Sequence, residues 1–152
     1  TPAPEGCTVV DAEGKMVLPG LIDTHVHMTD PGPFNYREDW AHGSRCAASG
    51  GITTIADMPL PSTAVLGKEG FEAKYNTANE HSVVDFALWG GINPKNSDKL
   101  PELNELGCVG YKGFMCFATE EYPQINKAWD DFFPGCIVDV RSFFRTGIWW
   151  KE

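Results

Sequence analysis

The chain lacks any apolar run approaching the roughly 18 residues of a membrane span, and no membrane association is expected. It lacks a basic excess: 12 Lys and Arg face 21 Asp and Glu, for a formal net charge of -9. A surface this acidic repels phosphate backbones and anionic lipid, so no nucleic-acid partner is expected either. Residues 1–6, TPAPEG, carry no initiator Met, basic n-region or apolar h-region. No secretory leader is read there, and the chain is expected to start partway through a gene product. The five cysteines, Cys7, Cys46, Cys108, Cys116 and Cys136, are odd in number and show no C-x-x-C spacing. A disulfide framework or zinc knuckle is therefore not expected. Reduced thiols acting as small buried apolar residues are, in a cytoplasmic setting.

What is present is ordinary globular composition, 42% hydrophobic and 22% charged over 152 residues, enough for one domain with a real core. Residues 8–17 read as a short β-hairpin around the turn DAEGK, which needs other strands to cover it. A repeating unit follows. Strands are expected over 21–28, 52–58, 83–89 and 108–117, and helices over 38–49, 68–80 and 100–106, with Gly50-Gly51, Gly90-Gly91 and Gly107 as breaks. The strands are apolar nearly throughout, which a parallel sheet covered by helices demands, because both faces are then buried. A doubly wound sheet and half of a (β/α)8 barrel both fit this α/β order. After about Gly135 the character changes to an aromatic-rich stretch with neither a helical stripe nor clean alternation.

The chemistry-bearing stretch is LPGLIDTHVHMTDPG, residues 18–32. His25 and His27 lie two apart near the end of a strand, so both imidazoles project from one face and can reach one divalent cation. Strand C-terminal ends are also where parallel α/β folds place their active sites. Asp23, two residues back, is a candidate carboxylate for orienting a ligand. The second feature is Lys112 within VGYKGFM. A lysine in an apolar strand either snorkels into solvent or is kept neutral by burial, which lets the amine react with carbon dioxide to form a metal-bridging carbamate.

PGLIDTHVHMTDPG, AASGGITTIADMPL and VGYKGFM together, in this order, resemble the cyclic amidohydrolase family, and its allantoinase branch most. The resemblance runs from about Cys7 to Gly135. It implies a partial (β/α)8 TIM-type barrel of about four βα units, preceded by a short β-hairpin from a flanking β-sandwich. The corresponding divisions are 1–18, 19–135 and an aberrant tail, 136–152. It further implies two divalent metal ions, zinc being expected, held by His25, His27 and Lys112 as its carbon dioxide-derived carbamate, and a homo-oligomeric parent. The implied reaction is hydrolysis of a cyclic amide C–N bond, allantoin to allantoate.

Within the family, dihydroorotases carry an Arg where this chain has Thr29, and Met-Pro-Asn where it has Met58-Pro59-Leu60. Hydantoinases usually lack the Asp30-Pro31-Gly32 run. Allantoin carries no carboxylate, so a missing Arg clamp makes chemical sense. The alternatives are a dihydroorotase- or hydantoinase-type enzyme and a non-catalytic amidohydrolase-like scaffold. The remaining histidine ligands and the general-base Asp of the family fall beyond this chain, so it is expected to be inactive alone, and insoluble or self-paired. His42 and His81 are expected to be surface or helix-end residues that cannot replace those ligands. Pro61 follows Leu60 directly, which suggests an altered loop at the mouth of the site.

Overall fold

The structure is a computed structural model that describes residues 3–60, 62–114, 116–125, 136–138 and 148–150. Strand β1 (Leu21–Val26) is followed by helix α1 (Trp40–Ser49), then β2 (Ile52–Asp57), α2 (Lys68–His81) and β3 (Asp85–Leu88). Strand β4 (Gly90–Gly91), helix α3 (Leu100–Glu105) and β5 (Tyr111–Lys112) complete the main body, and β6 (Cys136–Val138) pairs antiparallel with β7 (Ile148–Trp150). Strands β1, β2 and β3 pair in parallel in that order, and β4 pairs in parallel with β5. Only Trp89 separates β3 from β4, and its amide donates to Asp57 while the Val109 amide donates to Leu88. The chain from 85 to 91 therefore hands pairing from β2 on one side to β5 on the other. Alternating strands and helices around parallel pairs establish an α/β architecture.

The helices start and stop where local chemistry directs. Asp39 caps α1, its Oδ1 accepting from the His42 amide at 2.7 Å, and Gly50 closes the helix through its amide. In α3, Leu100 and Leu103 form the buried face, with Pro101 in the first turn where a missing N–H is harmless. Trp40, Ile55, Val65, Ala78 and Leu103 are fully buried and join Met28, Phe71, Leu88 and Ile92 in one core between the sheet and its helices. Gly43 lets α1 close on that core, since a Cβ there would lie 2.6 Å from the Met28 sulfur.

Several expectations need correction. The hairpin over 8–17 does not form. Its turn does, with positive φ at Glu13 and Gly14 and the Lys15 amide donating to Ala12. The flanking residues make no ladder, and Val9, Val10, Met16 and Val17 stay exposed. Two strands without a covering face are marginal, which accounts for the turn surviving without the strands. Strand β1 is not buried on both faces either: Leu21 and Ile22 are 62% and 66% exposed, and among the described residues β1 pairs with β2 alone. The strand expected over 108–117 is reduced to Tyr111–Lys112, matching a two-residue partner. Cys7, Cys46 and Cys116 are exposed and Cys108 is half-buried, all four as free thiols. The first lies in the unpaired N-terminal segment and the second on the outer face of α1, so neither meets the core. Pro61, Met115 and most of the aromatic-rich tail lie outside the described residues.

Candidate functional site

His25 is the penultimate residue of β1, and His27 is the first residue beyond the strand. The β1–β2 register slips between Asp23 and Val26, so the H-x-H pair sits where the ladder is irregular. The rings nonetheless converge, with centroids 5.3 Å apart and planes tilted by 53°. The Asp23 carboxylate accepts from the His25 amide at 3.0 Å. It thus steadies the backbone of His25 rather than its ring. The Trp89 indole donates to the Thr24 carbonyl at 3.1 Å, which pins the same strand end from the side of β3.

His27 is fixed more firmly. Its Nδ1 lies 3.0 Å from the Leu60 carbonyl. A carbonyl only accepts, so Nδ1 carries the proton and Nε2 keeps its lone pair for a metal. Burial lowers the pKa of both histidines, and the Lys112 charge lowers each further. Both rings are therefore biased toward the neutral form that metals bind. Lys112 is half-buried on β5, with its ammonium 5.3 Å from the Phe114 ring centroid. Burial lowers its pKa too, opposed by the Asp57 carboxylate. The donor set fits a divalent cation in part: two imidazoles of suitable chemistry and an amine whose charge reaches both. Among the described residues, no group of three His, Cys, Asp or Glu side chains could hold a metal.

Two residues at this end of the sheet escaped the sequence reading. Asp57, the last residue of β2, and Lys74, on α2, are both fully buried and form an ion pair. Asp57 Oδ1 also accepts from the Met28 amide at 2.7 Å, and Lys74 Nζ donates to the Met58 carbonyl at 2.8 Å. Burial pushes the Asp57 carboxyl up to about 6 against the attraction of Lys74. The sequence did carry a signal: Phe71, Lys74 and Ala78 share the inward stripe of α2, where a lysine is out of place unless paired.

Thr29 turns inward. It is 4% exposed, and its hydroxyl lies 2.5 and 2.9 Å from the carbonyls of Phe34 and Glu38. It closes the loop between β1 and α1. His42 lies exposed on α1, bonded to Glu38, and exposed His81 ends α2, where the helical pattern predicts them. A shallow cavity lined by Tyr75, Asn79, Ser82 and Asp85 sits at the start of β3, the opposite end of the sheet from the histidines.

With this geometry in place, the relatives are informative. Residues 8–79 match the amidohydrolase family. Over 125 residues, 81% of this chain and 27% of the relative, the sequence is 42% identical to an allantoinase of Deinococcus radiodurans. Over 145 residues, 92% of this chain and 30% of the relative, it is 42% identical to an allantoinase of Desulfitobacterium hafniense strain Y51. The chain belongs to the amidohydrolase family. It spans between a quarter and a third of the length of these curated relatives. Among solved structures of similar fold, the L-hydantoinase (dihydropyrimidinase) of Arthrobacter aurescens superposes with a TM-score of 0.65 at 35% identity, covering 77% of this chain and 26% of that one. A D-hydantoinase (dihydropyrimidinase) of Thermus sp. gives 0.64 at 29%, covering 83% and 28%. Among the described residues, no helix of this amidohydrolase chain is long and apolar enough to cross a membrane.

Proposed function

We propose that this chain is the N-terminal part of a metal-dependent cyclic amidohydrolase whose substrate is allantoin. On this reading residues 19–135 supply the first βα units of a (β/α)8 barrel. Residues 1–18 belong to a flanking β-sandwich, and 136–152 depart from the family pattern. The observation that carries the reading is the convergence of the His25 and His27 rings at the C-terminal end of a parallel strand, in a chain about 40% identical to allantoinases.

His25 and His27 would hold a divalent cation, zinc being favoured by the imidazole donors, and Lys112 as its carbamate would link it to a second. Bound there, the cations supply water activation and carbonyl polarisation. The chain's own residues contribute position and protonation state. The Leu60 carbonyl holds the His27 ring with Nδ1 protonated. Burial keeps both rings toward neutrality and lowers the pKa of Lys112, which favours the free amine that carbon dioxide requires. Thr29 supports the choice of substrate. Its hydroxyl is committed to the loop carbonyls, so position 29 offers no cation to a substrate carboxylate, and allantoin has none.

This chain alone is proposed to be inactive, since the general base would come from outside it. The test uses the whole polypeptide that carries these residues, assayed with allantoin, dihydroorotate and hydantoin before and after chelation. Preferential allantoin turnover, lost on chelation and restored by a divalent cation, is expected. Preferential turnover of dihydroorotate or hydantoin, or turnover indifferent to chelators, would refute the reading. Hydantoin belongs in the panel because the solved relatives are hydantoinases.

A further inference from the structure

Behind the H-x-H strand end lies a charge pair that touches no solvent. Lys74 and Asp57 each have fully buried side chains. Taking two ions out of water is expensive, and a well-packed apolar pair of similar volume would often serve stability as well or better. Stability alone therefore gives little reason for this pair. Its hydrogen bonds give a better one.

Asp57 spends one carboxylate oxygen on Lys74 and the other on the Met28 amide, the residue directly after His27. Lys74 spends a further proton on the Met58 carbonyl, two residues before Leu60, whose carbonyl sets the His27 ring. The pair thus grips both sides of the same imidazole: the backbone that carries it and the segment that orients it. The Met58 amide in turn donates to the Val26 carbonyl at 2.9 Å, closing the circuit between the two strand ends. Helix α2, far along the chain from the histidines, is in this way tied to their geometry.

We propose that Lys74 and Asp57 are positioning residues for His27, acting through the Met28 amide and the Met58–Leu60 segment. The proposal rests on the reading of His27 as a metal ligand. Residues that hold a ligand in this way typically govern metal affinity by about 10- to 100-fold.

The test is the affinity of the whole polypeptide for cobalt(II), read by competition with a chromogenic chelator and by the visible spectrum of the bound ion. Thermal unfolding is measured alongside. Removing Lys74 alone would strand a buried carboxylate, so paired substitutions are used. Asp57→Asn with Lys74→Met is neutral and keeps an oxygen for the Met28 amide; Asp57→Leu with Lys74→Met is apolar and keeps none. The proposal expects the apolar pair to melt close to wild type yet bind cobalt(II) about 10- to 100-fold more weakly with an altered spectrum. The Asn-containing pair should recover part of that affinity. Wild-type affinity and spectrum in the apolar pair would overturn the proposal, and so would unfolding of both pairs, which would make the ion pair purely structural. His27→Ala separates the two ideas: if it leaves cobalt(II) affinity unchanged, the ligand reading fails rather than the positioning one.

Discussion

Replacing Gly70 by Ala sets two effects of known size against each other. Gly70 is the third residue of α2, and Ala outranks Gly in a helix interior by about 1 kcal/mol. Propensity alone predicts stabilisation, somewhat reduced so near the helix start. Packing predicts the reverse. A Cβ on Gly70 would lie 2.1 Å from the Ala64 carbonyl oxygen and 3.1 Å from its carbon, well inside the roughly 3.5 Å of ordinary carbon contact. The obstacle is backbone, which cannot swing aside, so α2 itself must move. Overpacking of this kind costs about 1–3 kcal/mol, which exceeds the helical gain. Lys74 lies one turn further along α2, and a shift of the helix is transmitted to its contact with Asp57. The expected outcome is a net loss of up to about 2 kcal/mol, taken as the balance of the two effects, together with weaker cobalt(II) binding. Urea unfolding of the whole polypeptide measures the first, as a lower midpoint at unchanged slope. A higher midpoint for Gly70→Ala would refute the packing reasoning.

Three further outcomes follow from local contacts. Asp39→Ala removes the cap of α1 and should lower stability by about 1 kcal/mol, as read by the urea midpoint; no change would mean that the cap is redundant. Thr29→Val removes a hydroxyl that serves two carbonyls and should cost about 1 kcal/mol. Faster proteolysis in the loop between β1 and α1 would report the loss, and wild-type resistance would contradict it. His42 has a raised pKa, chiefly through its hydrogen bond to Glu38. Its imidazolium contact therefore stabilises the folded chain below the unfolded pKa, and that contribution fades as pH rises through the folded one. An NMR titration should find the His42 midpoint above the ordinary histidine range and falling in Glu38→Gln; an identical midpoint in both would remove the cause assigned here.

The parts of the fold that the sequence made legible are those governed by local rules. Helix α1 was readable because Trp40, Ala41, Ala47 and Ala48 recur at helical spacing before a Gly-Gly stop, and β2 because ITTIAD is β-branched and apolar. The length of β5 and the failure of the N-terminal hairpin to form were not readable, because a strand extends only as far as its partner. Lys112 pairs with a two-residue strand, and Val9 and Val17 have no covering layer. In the site, the H-x-H spacing announced itself, and the approach of the two rings follows from it. The roles of Asp57 and Lys74 did not, because an ion pair 17 residues apart in the chain is created by packing α2 against β2. In the sequence Thr29 stands out only for the charge it lacks, whereas its burial comes from the fold of the loop it closes.

The most direct test of the account is metal content. Elemental analysis of the whole polypeptide should find stoichiometric divalent metal in the wild type and a clear loss in the double substitution of His25 and His27 by Ala. Wild-type protein without stoichiometric metal, or a double variant that retains it in full, would contradict the central claim that these two imidazoles form part of a metal-dependent amidohydrolase site.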